Sequence, residues 1–242
     1  MSDAIGSAGM EWRSLAARVW RGLGLTFKDW TTRDLVVAAV LSVAVGVIFW
    51  AWGLLYSSVF ILIPFPASYI TVGMWMLGGL LVPYIVRRPG AALLGELVAA
   101  FVSMAPGNQW GLLTMASGAV QGVAAEFIFG LGRWRDFRGV EINLKHPRLL
   151  GRALTLPVWR LGSGVFLYGA AALAGALSVL LDTFVYSYYR TYTWSYILAA
   201  AALCAVSSLF LGGLVAQLLG EALAKTGVLS GLAIAKGKVN RI

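Results

Sequence analysis

The run LVVAAVLSVAVGVIFWAWGLLY, from Leu35 to Tyr56, sets 22 residues in succession without one charged side chain. About 20 such residues cross the hydrocarbon core of a bilayer as an α-helix, because only a helix satisfies its own backbone polar groups there. Thr31-Thr32-Arg33-Asp34 stands directly ahead of it. That segment offers a side-chain oxygen to the helix's first free N–H groups, which is N-cap chemistry.

Downstream, the stretch Ser57–Ser68 stays apolar but carries Pro64 and Pro66. Two prolines so close end a regular helix, so it reads as an outer loop lying over the protein. A second span is expected over Tyr69–Val86, closed by the charged turn Arg87-Arg88-Pro89-Gly90. A third, Ala91–Ala105, is short, rich in alanine and carries Glu96. Pro106-Gly107-Asn108-Gln109-Trp110-Gly111 is a tight polar turn. A fourth span covers Leu112–Leu131, with Gln121 and Glu126 inside it. Residues 132–160 form a long basic connection; a fifth span follows over Leu161–Leu181, then the tyrosine-rich loop Asp182–Tyr192 and a long sixth span, Thr193–Leu219. The expected fold is therefore all-α: a polytopic membrane bundle of six transmembrane helices over residues 31–225, with a basic tail at 226–242. Upstream, Trp12, Leu15, Val19, Trp20 and Leu23 recur at helical spacing with Arg13, Arg18 and Arg21 between them. The extension 1–30 thus reads either as an amphipathic helix on the membrane surface or as a loosely ordered tail. No cleavable signal peptide is read at its start.

Composition agrees with this. The chain is 60% hydrophobic and only 12% charged, with mean hydropathy +0.81. Soluble domains carry roughly twice that share of charge. The net charge of +9 would suit a nucleic-acid partner, but its distribution has another explanation. Five basic residues precede the first span, two lie in the 87–90 turn, seven in the 132–160 connection and four from Lys225 onward. In a six-span chain these 18 of 19 fall on one side, leaving Arg190 alone on the other. Basic loops stay cytoplasmic, so both termini are placed in the cytoplasm, in a bacterial or archaeal cell membrane, and no nucleic acid is needed.

The chemistry-bearing residues are few. One cysteine, Cys204, and one histidine, His146, leave no disulfide framework, no histidine-based metal cluster and no Ser-His-Asp triad. Gly220 to Thr226 resembles the end of a phosphate loop but lacks the second glycine and the strand. Intramembrane carboxylates are expensive and commonly functional. Glu96 and Glu126 are the two candidates: Glu96 as a ligand contact or its support, Glu126 as structural glue that Arg133 or Arg135 can pair. Asn108-Gln109-Trp110 joins two amides, each both donor and acceptor, to an indole that can stack a ring or face a cation; the alternative is a turn whose amides cap helix ends. Gln121 needs partners at mid-membrane depth. Gly118 and Gly122 permit close helix approach. Trp75 is either a pocket wall or simple packing. Ala38, Ser42 and Gly46 make a small-residue stripe that docks a helix, either within the chain or on a partner subunit.

Several segments together resemble the YkoE family, the substrate-binding S components of energy-coupling factor (ECF) transporters. They are Trp30-Thr-Thr-Arg-Asp-Leu35 with the span to Gly53, Gly73-Met-Trp75, Arg87-Arg-Pro-Gly-Ala-Ala-Leu-Leu-Gly-Glu96-Leu-Val-Ala-Ala100, Gly107-Asn-Gln-Trp110-Gly111 and Ser117-Gly-Ala-Val-Gln121-Gly-Val-Ala-Ala-Glu126-Phe-Ile-Phe129. They run in order through residues 30–130; the last two spans match in hydropathy alone. The resemblance implies a six-helix S component, with no cofactor and no catalysis, that binds thiamine or its hydroxymethylpyrimidine precursor from outside. It implies a transmembrane coupling subunit and ATP-hydrolysing subunits as partners, which explains the missing nucleotide site. The stripe Ala38, Ser42 and Gly46 would then be the subunit coupling surface. Asn108, Gln109 and Gln121 would bond the pyrimidine edge, Trp75 and Trp110 would stack a ring, and Glu96 would balance the charge or hold the pyrimidine amino group. The competing class is a stand-alone secondary transporter or channel, which inverted repeats would favour; none is evident. A membrane enzyme lacks its nucleophile, base or metal set, and a ligand-free scaffold subunit would carry no small molecule.

Overall fold

The computed structural model describes residues 30–59, 62–131, 159–186, 189, 191–232 and 234. The surface helix expected within 1–30 and nearly all of the basic connection at 132–160, with Arg133 and Arg135, lie outside those residues. Every regular element among the described residues is helical.

The first span is α1, Thr32–Ser58. Its start is a full capping box: the Asp34 N–H donates to Thr31 Oγ1 at 3.2 Å, and the Thr31 N–H donates to the Asp34 carboxylate at 3.0 Å. The same carboxylate takes the Arg88 guanidinium at 3.0 Å. The Trp30 indole N–H donates to the Pro89 carbonyl at 3.0 Å, and Arg33 donates to the Val228 carbonyl at 3.2 Å. The start of α1, the 87–90 turn and the tail are thereby tied together at one end of the bundle.

The second span is continuous from Ala67 to Val86 but is not one kind of helix. Ala67–Met76 is a 3₁₀ segment, and only α2, Leu77–Val86, is α-helical. Arg87, in the left-handed region at φ 54°, ends α2; Gly90, at φ 86°, begins α3, Ala91–Met104. Then follow α4, Leu113–Leu131, and α5, Trp159–Val185. The last span comprises α6, Trp194–Ser207, a π-helical turn at Ser208–Leu214 and α7, Val215–Lys225. Among the described residues five helices are long and apolar enough to cross a membrane; α3 is a shorter apolar helix.

The widened turn of the last span lies against the tightened segment of the second. The Ser207 hydroxyl sits between the Ile70 carbonyl, to which it donates at 2.5 Å, and the Gly73 N–H, which donates to it at 3.0 Å. A side chain is thus inserted into the helical ladder, an ordinary cause of helix distortion. A Cβ on Gly73 would collide with the Ser207–Ser208 backbone.

Helix α3 lies amid α1, α2 and α4. Small residues set each approach. Gly95 faces the Gly78 carbonyl, and added Cβ atoms would come within 2.6 Å and 2.9 Å of the opposing backbone. On α4, Gly118 and Gly122 meet Ala100 and Leu93, as their spacing leads one to expect. On α1, Ala38, Ser42 and Gly46 are buried, with Gly46 against Ala99 and Val102 of α3. The stripe thus packs inside the chain, the first of the two readings its spacing allows. The face that α1 leaves open carries Val36, Val40, Val43 and Val47 instead.

Candidate functional site

A cavity of about 520 Å³ opens where the connections after α1, α3 and α5 gather. That is the size range of small-molecule pockets. The late turns of α1 contribute Phe49, Gly53 and Tyr56; the 3₁₀ segment contributes Tyr69, Val72 and Trp75. Glu96, Ala100 and Ser103 come from α3, Thr114, Ser117 and Gln121 from α4, and Ser178 and Asp182 from α5. The 105–112 turn supplies Asn108, Gln109 and Trp110. The six residues singled out from sequence as ligand contacts, Trp75, Glu96, Asn108, Gln109, Trp110 and Gln121, thus surround one space.

Glu96 is at the inner end and only 1% exposed. Its Oε2 accepts the Gly79 N–H at 2.5 Å. Gly79 lies in the first turn of α2. A Cβ there would stand 3.2 Å from that oxygen, close enough to push the carboxylate aside by a few tenths of an ångström. The Gln121 amide closes the other side. With its nitrogen turned toward the acceptors, it donates to Glu96 Oε1 and to the Trp75 carbonyl, each at 3.2 Å, and accepts from Ser178 Oγ at 3.0 Å. The opposite orientation would set its carbonyl against a carboxylate and a second carbonyl.

Trp75, Trp110 and Tyr56 brace one another edgewise. Their centroids are 5.1 Å apart for the two indoles and 5.3 and 5.6 Å from Tyr56 to each, at interplanar angles of 52–81°. Asn108 is engaged in its own turn: Oδ1 accepts the N–H groups of Trp110 at 3.1 Å and Gly111 at 2.8 Å, and Nδ2 donates to Thr114 Oγ1 at 2.9 Å. These bonds close the turn and position Trp110. Gln109 lies at the exposed rim.

Glu126 is away from the cavity. Its carboxylate accepts the N–H groups of Gly90, of Ala92 at 2.9 Å and of Leu93 at 3.3 Å. It caps the start of α3, where a carboxylate also meets the favourable end of the helix dipole, and so supports the helix that carries Glu96.

Sequence reasoning missed an outer group. The Tyr69 hydroxyl donates to Asp182 Oδ2 at 2.7 Å, beside Tyr186 and Tyr189. Asp182 reads as the first residue of a loop, but α5 continues to Val185. The available signal was spacing: Ser178 and Asp182 are four residues apart and share a helix face. Among the described residues no three His, Cys, Asp or Glu side chains group as a metal site.

Residues 33–144 match the family model described as the permease component of an ABC-type cobalt transport system. The chain is 30% identical to the putative HMP/thiamine permease protein YkoE of Bacillus subtilis (strain 168), over 86% of this chain and 92% of that one. Its structure is similar to a crystal structure of an S component of an ECF transporter, with a TM-score of 0.72 and 27% identity, over 86% of this chain and 93% of that one.

Proposed function

The chain belongs to the YkoE family of ECF S components, multi-pass proteins of the cytoplasmic membrane, and from that premise we propose that it captures thiamine or its hydroxymethylpyrimidine precursor from outside the cell for ATP-driven uptake. A coupling transmembrane subunit and ATPase subunits complete the transporter. In this reading the chain crosses the membrane six times, α3 included, with both termini in the cytoplasm, which the resulting 18-to-1 division of basic residues supports.

The observation that carries the reading is the Glu96–Gln121–Ser178 arrangement behind the aromatic wall of Trp75 and Trp110. A buried carboxylate beside an amide oxygen keeps acceptor positions open toward the cavity, which suits the amino group of an aminopyrimidine. Among the described residues the lining contains neither cysteine nor histidine, so its amides, carboxylates and aromatic rings suit an organic ring better than a transition-metal ion. Titration of the detergent-purified chain with thiamine and with hydroxymethylpyrimidine tests this directly. Saturable one-to-one binding of at least one is expected; absence of both, together with a purified protein free of any pyrimidine by mass spectrometry, would refute it. Vesicles containing the chain alone are expected to bind vitamin without accumulating it; accumulation without an ATPase would instead establish the secondary-transporter class.

A further inference from the structure

The cavity has two polar groups, and they differ in kind. The inner one, Glu96 with Gln121 and Ser178, is a set of hydrogen-bonding partners at close quarters. The outer one is a carboxylate, Asp182, set among aromatic rings. Tyr69 donates to it at 2.7 Å; Tyr189 lies 6.3 Å from the Tyr69 ring centroid and 6.2 Å from that of Tyr186. Asp182, Tyr69, Tyr186 and Tyr189 all line the same space as Glu96. Ser178 and Asp182 lie one α5 turn apart, about 6 Å along the helix axis. A ligand of two parts joined by a short link can reach both groups.

The two parts must differ as the two groups do. A ring edge that presents N–H donors is matched by the Glu96 carboxylate and the Gln121 amide oxygen. A delocalised ring cation without N–H donors gains little from amides. It gains from a carboxylate's charge and from aromatic faces, which attract cations through their quadrupole. Asp182 and its tyrosines provide that combination. Glu96 already accepts from Gly79 and Gln121, which leaves about two of its roughly four acceptor positions for a ligand amino group.

We propose that Asp182, with the tyrosines around it, is the counter-ion for a permanent heteroaromatic ring cation. On this assignment Asp182 separates the two-ring cationic vitamin from its neutral one-ring pyrimidine precursor. The assignment rests on the thiamine-or-pyrimidine reading above and adds which of the two the site prefers, and why.

The test is calorimetric titration of the full-length chain in detergent with three probes: thiamine, its isostere with a neutral ring in place of thiazolium, and hydroxymethylpyrimidine. In the unaltered chain thiamine is expected to bind at least about 10-fold more tightly than either neutral probe. Asp182→Asn is expected to remove most of that preference while leaving hydroxymethylpyrimidine affinity within about 3-fold. Glu96→Gln is expected to weaken all three probes together and keep the preference. Equal affinities in the unaltered chain, an unchanged preference in Asp182→Asn, equal loss of all three probes in Asp182→Asn, or loss of the preference in Glu96→Gln would each overturn the assignment. The three-probe comparison on the unaltered chain and the Glu96→Gln arm decide the matter should Asp182→Asn not fold. Binding of hydroxymethylpyrimidine without preference for thiamine would refute the counter-ion and leave the vitamin reading standing; binding of none would refute both.

Discussion

Glu96 and Glu126 are both carboxylates buried in helices, and their surroundings divide their roles. Glu96 faces a cavity and is held by one backbone N–H and one amide. Glu126 faces no cavity and is held by three backbone N–H groups at a helix start. For Glu96→Gln, the Gly79 N–H keeps an acceptor, so the fold should persist, but a ligand amino group loses its charged partner. A hydrogen bond to a charged group is worth about 1.5–3 kcal/mol, so affinity for thiamine and for hydroxymethylpyrimidine should each fall at least about 10-fold in calorimetry; unchanged affinity would remove Glu96 from the contact set. Glu126→Ala should behave oppositely. Orphaning three N–H groups costs roughly 2 kcal/mol or more. The melting temperature in detergent should drop clearly, while affinity measured well below it stays within about 3-fold. Trp110→Ala removes an indole braced by Trp75 and Tyr56 and should weaken vitamin binding about 10-fold, read by the same titration.

At the scale of elements, the runs of apolar residues were legible and the helix types were not. Hydropathy over Tyr69–Val86 locates a span, but it holds no information on whether an N–H reaches back three residues or four. The segment is met there by a tertiary contact, the Ser207 hydroxyl lodged between Ile70 and Gly73, which no local signal foretells. Ser207→Ala should leave the Ile70 carbonyl and Gly73 N–H without that bridge and lower the melting temperature, at a cost of about 1–3 kcal/mol. Gly73→Ala, whose methyl would strike the Ser207–Ser208 backbone, should be the more damaging of the pair. Paired thermal scans in one detergent check the order; a Gly73→Ala protein as stable as the parent would mean that this contact is looser than described. The stripe at Ala38, Ser42 and Gly46 illustrates the same limit. Small residues announce that something comes close, and only the fold says that it is α3. The inner site was legible because an intramembrane glutamate, a glutamine and a turn of amides are costly in that setting. The outer site was missed because Asp182 sits where hydropathy declines, so one aspartate looked like the start of a loop.

For the molecule as a whole, the least obvious crossing is α3. Its 14 residues rise about 21 Å, against a hydrocarbon thickness of about 30 Å. A helix this short facing lipid would leave terminal backbone groups unsatisfied. Here neither end needs to reach water through lipid. The Glu126 carboxylate satisfies the N–H groups at the start, and the other end runs into the turn that borders the cavity. The bundle, with α1, α2 and α4 around α3, replaces the bilayer as its solvent. If this holds, Arg87 and Gln109, which flank α3, lie on opposite sides of the membrane, and Thr226, after the last span, lies on the side of Arg87. The sole cysteine, Cys204, is buried, which gives a quiet background for single cysteines placed at Arg87, Gln109 and Thr226. A membrane-impermeant maleimide should label Gln109→Cys on intact cells, and Arg87→Cys and Thr226→Cys only after permeabilisation. Labelling of Arg87→Cys and Gln109→Cys from the same side would mean that α3 re-enters without crossing. The six-span count would then fall to five, and the amino terminus would move to the face opposite the basic tail, against the charge distribution that orients the chain.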